Sequence, residues 1–144
     1  LMGVGAFPER HPLALKWPGM HGTYYASYAV NESDLLIGIG VRYDDRVTGP
    51  TKTFATGAKI VHVDIDPSEI NKNVHADIAA VCDAKSFLQA MLPDPIRQDY
   101  ADWHEQIRCA VNAYVEREWG AAAYARRSWK TWPWTSVSRK SRPA

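Results

Sequence analysis

Two arginines bracket two aspartates in the stretch Arg42-Tyr43-Asp44-Asp45-Arg46, and the apolar run before it ends at Gly40 and Val41. Guanidinium groups are planar donor forks suited to a pyrophosphate or a carboxylate. The aspartates can hold those forks in place or accept hydrogen bonds from ribose hydroxyls, and Gly40 lets another group approach the backbone closely. If the chain runs straight into this loop, side chains alternate, so Arg42, Asp44 and Arg46 share one side and Asp45 faces away. The competing reading is a turn carrying a surface ion-pair cluster, which is worth little energetically.

Further acids stand where an apolar run stops. In the segment His62-Val63-Asp64-Ile65-Asp66 an aspartate at the tip of a run suits a ribose, as in dinucleotide folds. The glycine-rich fingerprint G-x-G-x-x-G is absent, so an ordinary nicotinamide site is poorly supported, and Asp66 before Pro67 reads equally well as a helix cap. A third run ends at Asp83 and Ala84. The motif Pro18-Gly19-Met20-His21-Gly22 sets Met20 and His21 between two glycines at the entrance to a helix, where backbone N–H groups can meet an anionic ligand. A lone histidine in such a turn is more often a hydrogen-bonded structural residue. His11, His62, His75 and His104 show no spacing that suggests a metal, and Trp119, Trp129, Trp132 and Trp134 read as packing residues because the flanking charge is mixed.

These residues need elements that hold them. Residues 34–40, 58–66 and 77–83 are bare apolar runs bounded by polar residues, the pattern of strands covered on both faces in a parallel sheet. Residues 22–33 put Tyr25, Tyr28 and Ala29 at helical spacing, residues 67–76 suit a single helical turn after Pro67, and residues 84–92 put Phe87, Leu88 and Met91 on one face. Alternating strands and short helices predict an α/β fold, a parallel Rossmann-like sheet flanked by helices. Ligands in such sheets bind beyond the carboxyl ends of the strands, which is where the acids and arginines fall. Past residue 93 an amphipathic helix with Trp103, Ile107, Ala110, Val111 and Tyr114 on one face runs to Gly120 and is expected outside the sheet. Residues 135–144, rich in serine and basic residues, read as a disordered tail.

Composition excludes more than it selects. The 17 basic and 16 acidic residues leave a net charge of +1, so no global field argues for nucleic acid or an anionic surface. No apolar run approaches the roughly 18 residues of a membrane span. Cys82 and Cys109 lack a C-x-x-C spacing and read as small buried hydrophobes of a reducing compartment. The first residues do not read as a secretory leader, and the start at Leu1 rather than at a methionine suggests a piece of something longer.

Taken together, the motifs Gly19-Met20-His21-Gly22-Thr23-Tyr24, Gly40-Val41-Arg42 with Asp44-Asp45-Arg46-Val47-Thr48-Gly49, and Ile60-Val61-His62-Val63-Asp64-Ile65-Asp66-Pro67 closely resemble the central domain of the acetolactate synthase (acetohydroxyacid synthase) catalytic subunit family, which are thiamine-diphosphate enzymes. The resemblance covers about residues 1–92. It implies that the central domain binds FAD, with Gly19, Met20, His21 and Gly22 lining the cofactor. Gly40, Val41, Arg42, Asp44, Arg46 and Val47 would contact its ribityl and diphosphate parts, and Asp64, Ile65, Asp83 and Ala84 would sit near the adenosine. Cys82 stands where the family usually has glycine. Met20, Asp45 and Arg46 would border the substrate channel.

The same resemblance implies a partial FAD-binding central domain over residues 1–92, while residues 93–134 read by their spacing as a helical extension or linker, followed by the tail. The glutamate that activates thiamine diphosphate and the motif for Mg²⁺ belong to domains outside this chain, as does a glycine-rich strand expected before Leu1. The parent is expected to join a two-carbon unit from pyruvate to a second 2-oxo acid in branched-chain amino-acid synthesis, while this chain alone is inactive. It is expected to be homo-oligomeric, with or without a regulatory subunit, and cytoplasmic in a bacterium or plastid in a plant. The alternatives are another thiamine-diphosphate carboligase, such as glyoxylate carboligase, and a non-catalytic nucleotide-binding module.

Overall fold

The computed structural model describes residues 3–11, 13–93 and 101–119. The expected tail over 135–144 lies outside them. Helix α1 spans Tyr24–Asn31, strand β1 Leu35–Ile39, the single turn α2 Asp45–Thr48, β2 Lys59–Asp64, β3 Ile78–Val81, α3 Ala84–Met91 and α4 Ala101–Trp119, with a 3₁₀ turn at Thr51–Thr53. The three strands pair in parallel in the order β1-β2-β3, with Ile37 opposite Val61 and Val61 opposite Ile78. This is the expected α/β sheet with flanking helices.

Partners across a parallel pair point to the same face. Leu36, Gly38, Ile60, His62 and Ala79 therefore share one face, and Leu35, Ile37, Val61, Val63, Ile78 and Ala80 the other. The first face carries the core. Tyr43, Phe54, Ala55, Ile60 and Ala76 form a buried cluster there, joined by Val30, Leu36, Val41, Ala58 and Val74. Asn31, the last residue of α1, ties that helix to the cluster by accepting a hydrogen bond from the Ala55 N–H at 3.0 Å, across a residue held at φ 44°.

The second face departs from expectation. The bare apolar runs predict strands covered on both sides, yet Leu35, Ile37 and Ile78 are 52, 41 and 61% exposed. Val63 of β2 is fully buried on this face and α3 meets β2, while Leu35 and Ile37 of β1 stay open. An apolar run reports what a strand is suited to contact, not whether the contact lies within the same described residues.

A second cluster holds the long helix. Tyr25, Ala26 and Ala29 of α1 pack with Ile107 of α4, and Leu15, Tyr28 and Trp103 close around them. Helix α4 thus packs on α1. Burying a side chain such as Ile107 is worth about 1.5–3 kcal/mol. The exposed pairs Lys16–Glu9 and Lys72–Glu69 are worth under about 1 kcal/mol each, so apolar packing rather than ion pairing seats these elements.

The expected helical turn over 67–76 is instead a run of turns. Asp66 accepts from the Ser68 N–H at 2.9 Å, and Asn71 sits at φ 60° with its side-chain oxygen accepting from the Ala76 N–H at 2.8 Å. Side chains that satisfy the backbone locally compete with helix formation.

Candidate functional site

Three strand ends form one row. The Gly40 N–H donates to the Val63 carbonyl at 2.8 Å, and the Cys82 N–H to the Asp64 carbonyl at 3.1 Å, so the residues following β1 and β3 are laced to the last two residues of β2. Gly40 sits at φ 63°, and a Cβ built on it would meet nothing within 4 Å. Its conformation asks for glycine while the space above it stays open.

The glycine turn of residues 19–22 joins this row. Gly19, at φ 95°, lies so close to the loop after β1 that a Cβ would fall 2.3 Å from the Arg46 carbonyl oxygen and 2.9 Å from the Val47 Cα. The Met20 N–H donates to that same Arg46 carbonyl at 2.8 Å. Two motifs 20 or more residues apart in sequence thus meet backbone to backbone. The turn is held from behind: the Gly19 N–H donates to Ser27 Oγ at 3.1 Å, the Trp17 indole N–H to the His21 carbonyl at 2.8 Å, and Thr23 caps α1 by accepting from the Ala26 N–H. Gly22 lies against Trp17 and Pro18, where a Cβ would clash. The side chains of Met20 and His21 remain exposed.

The expected alternation through residues 42–46 does not hold. Tyr43 takes φ 50° and turns its ring into the core, and α2 begins at Asp45, so Arg42, Asp45 and Arg46 are all exposed. Asp44 is the cap of α2, its carboxylate accepting from the Val47 N–H at 3.2 Å. The Arg42 carbonyl accepts from the Asn73 side-chain amide at 3.3 Å, which ties the turns after β2 to this loop.

The other acids also serve the backbone. Asp64 accepts from the Asp66 N–H at 2.9 Å, while Ile65 is exposed beside it. Asp83 caps α3 ahead of Ala84, one carboxylate oxygen accepting from the Ser86 N–H at 3.1 Å and the other from Ser86 Oγ at 2.5 Å. The Ser86 and Ser68 hydrogen bonds hold Asp83 and Asp66, respectively, below the ordinary carboxylate value of 3.8. A lowered value means the folded state favours the charged form, so this stabilisation is present above pH 3.8 and is lost as pH falls through the folded-state values. Asp83→Asn should therefore lose less stability than the parent chain between neutral pH and pH about 3. Urea midpoints at the two pH values check this, and equal losses would contradict it.

Sequence reasoning missed Tyr43 and His62. Tyr43 is 3% exposed and His62 1% exposed, their rings 5.0 Å apart and edge to face. His62 Nε2 lies 2.9 Å from the Val41 carbonyl, and since a carbonyl only accepts, Nε2 carries the proton. Burial pushes the Tyr43 phenol up to about 12, so it stays neutral. The available signal was a histidine inside an otherwise apolar strand, with Gly38 two residues before Gly40.

Chemically, the row offers two exposed guanidinium groups, an open glycine backbone and acids already engaged in capping. A cavity of about 180 Å³ lined by Val4, Phe7, Leu13, Leu15 and Trp17 lies in the N-terminal loop. It is below the roughly 300 Å³ of ordinary small-molecule pockets.

The sequence family described as "Thiamine pyrophosphate enzyme, central domain" matches residues 1–91. The chain is 56% identical over 110 residues to the "Probable acetolactate synthase large subunit" of Methanocaldococcus jannaschii, a match covering 74% of this chain and 19% of that protein. It is 49% identical over 113 residues to "Acetolactate synthase 1, chloroplastic" of Oryza sativa subsp. japonica, covering 74% and 18%. The chain thus spans about a fifth of the length of these curated relatives. With the parallel sheet, the strand-end row and a family match over most of its length, the chain belongs to the central-domain family of thiamine pyrophosphate enzymes.

Proposed function

We propose that this chain is the FAD-carrying central part of an acetolactate synthase catalytic subunit, a thiamine-diphosphate-dependent transferase. The observation that carries the reading is the contact of Gly19 and Met20 with Arg46 and Val47 beside the laced ends of β1, β2 and β3. It gathers the three motifs of the resemblance onto one edge of the sheet, where ligands of parallel sheets bind.

The residues present suit a flavin dinucleotide. Gly40 leaves its backbone open, and the exposed Arg42 and Arg46 supply forked donors for a diphosphate. The exposed Ile65 and the Ala84 backbone border the far end of the row, where an adenosine would rest. FAD plays no net redox part in the proposed reaction. The carboligation chemistry comes from thiamine diphosphate with Mg²⁺, held by parts of the parent protein outside this chain. Met20, Asp45 and Arg46, all exposed near one another, would border the passage to it. The parent would be a homo-oligomer, with or without a regulatory subunit, working in the cytoplasm or a plastid.

The test is segment exchange. Residues 1–91 replace the matching segment of the Methanocaldococcus jannaschii relative, and the exchange protein is supplied with pyruvate, thiamine diphosphate, Mg²⁺ and FAD. Acetolactate is expected from the exchange protein and none from the 144-residue chain alone, because the glutamate that activates the thiamine ring is expected in another part of the parent protein. Turnover by the chain alone would contradict the reading. A folded exchange protein without turnover would favour a non-catalytic nucleotide-binding module.

A further inference from the structure

We infer that His62 and Tyr43 are positioning residues that lock the loop after β1 in the shape that turns Arg42 outward. This deepens the flavin reading and rests on it, since it says what holds the diphosphate-facing arginine in place.

The loop has an unfavourable step that something must hold. Tyr43 occupies the left-handed region at φ 50°, where a residue with a Cβ is disfavoured. On its own, this backbone would relax to an ordinary extended path, and the alternation along the loop would then change which side chains face out. Two buried contacts oppose the relaxation. The Tyr43 ring is inserted over Gly38, with its hydroxyl 2.1 Å from where a Cβ at that glycine would sit, and it meets Phe54 and His62 edge to face at 5.9 and 5.0 Å. His62, from the middle of β2, donates its Nε2 proton to the Val41 carbonyl at 2.9 Å. The backbone is thus gripped on both sides of Arg42, at Val41 by the imidazole and at Tyr43 by the core.

Hydrogen bonding singles out a local task for this pair. His62 Nδ1 and the Tyr43 hydroxyl are both buried without a partner, so neither polar atom is present for a bond of its own. A strand-centre residue serving only the core would be apolar. What the imidazole adds over an apolar residue is one hydrogen bond, and its acceptor is the loop.

The experiment uses trypsin on the full 144-residue chain, with cleavage sites resolved by mass. Cleavage after Arg42 reports release of the loop, and cleavage after Lys59, at the start of β2, reports opening of the sheet. His62→Leu removes the donor and keeps an apolar side chain, and His62→Gln returns an N–H donor of similar reach. His62→Leu is expected to speed cleavage after Arg42 about tenfold while cleavage after Lys59 stays at the parent rate, with His62→Gln restoring protection. Equal acceleration at both sites, no acceleration after Arg42, or no restoration by glutamine would each overturn the inference. FAD affinity is read separately on the exchange protein carrying the unmutated segment. No flavin binding there would overturn the flavin reading, while the cleavage rates still decide the anchoring.

Discussion

Gly19→Ala is expected to lose roughly 3 kcal/mol of stability and to separate the glycine turn from the loop after β1. About 1–2 kcal/mol comes from forcing an L side chain into the left-handed side of backbone space, since Gly19 stands at φ 95°. The rest comes from the Cβ itself, which would lie 2.3 Å from the Arg46 carbonyl oxygen and 2.9 Å from the Val47 Cα. Both obstacles are backbone, so no rotamer change relieves them, and overpacking of this kind costs about 1–3 kcal/mol. Gly40→Ala provides the comparison, because Gly40 has φ 63° with nothing within 4 Å of a built Cβ. It should show only the conformational cost of about 1–2 kcal/mol. Urea midpoints of the two variants check the difference, and equal losses would mean that the two loops do not meet as described.

Gly38→Ala is expected to cost about 1–3 kcal/mol through overpacking, although Gly38 lies in ordinary strand backbone. A Cβ there would stand 2.1 Å from the Tyr43 hydroxyl oxygen and 2.8 Å from Cζ of the same ring. With Tyr43 only 3% exposed, the ring cannot swing aside without opening the core. Tyr43→Phe alone should be neutral or slightly stabilising, because it removes a buried hydroxyl that has no partner. In combination it removes the nearest clashing atom and leaves Cζ, so the double variant should recover part of the loss. A double-mutant cycle with a coupling above about 0.5 kcal/mol is the expected result, and strict additivity would contradict the packing.

The strands were legible because a parallel sheet leaves a plain mark. The apolar runs at 34–40, 58–66 and 77–83 correspond to β1, β2 and β3, whose ends Gly40, Asp64 and Cys82 are hydrogen-bonded into one row. Their ends were less legible. Asp64 and Asp66 turn the chain through hydrogen bonds to backbone N–H groups two residues on, which a hydropathy pattern does not register. Coverage was illegible too, since Leu35 and Ile37 look as buried in sequence as Leu36 does, and only the placement of helices separates them. In the candidate site, the acids singled out by residue type accept hydrogen bonds from backbone N–H groups, a use that residue type alone does not separate from facing a ribose. Asp44 and Asp83 each stand three residues before the N–H they cap, a spacing equally consistent with both uses. The inversion at Tyr43 has no sequence signal of the usual kind, because the residue in the left-handed region is a tyrosine rather than a glycine. Its cause is tertiary, lying in Gly38 and His62.

The central claim is that the loop after β1 meets a diphosphate through Arg42. The exchange protein carrying residues 1–91 allows it to be measured as FAD dissociation constants for Arg42→Ala and Asp45→Ala. Arg42 leaves the strand end exposed with its carbonyl pinned by Asn73, whereas Asp45 opens α2 and carries the charge sign that a diphosphate repels. A charge-assisted hydrogen bond contributes about 1.5–3 kcal/mol, so Arg42→Ala should weaken FAD binding by roughly ten- to a hundredfold. Asp45→Ala should leave the constant near that of the unmutated segment, and a larger loss for Asp45→Ala than for Arg42→Ala would contradict the placement of the diphosphate on this loop.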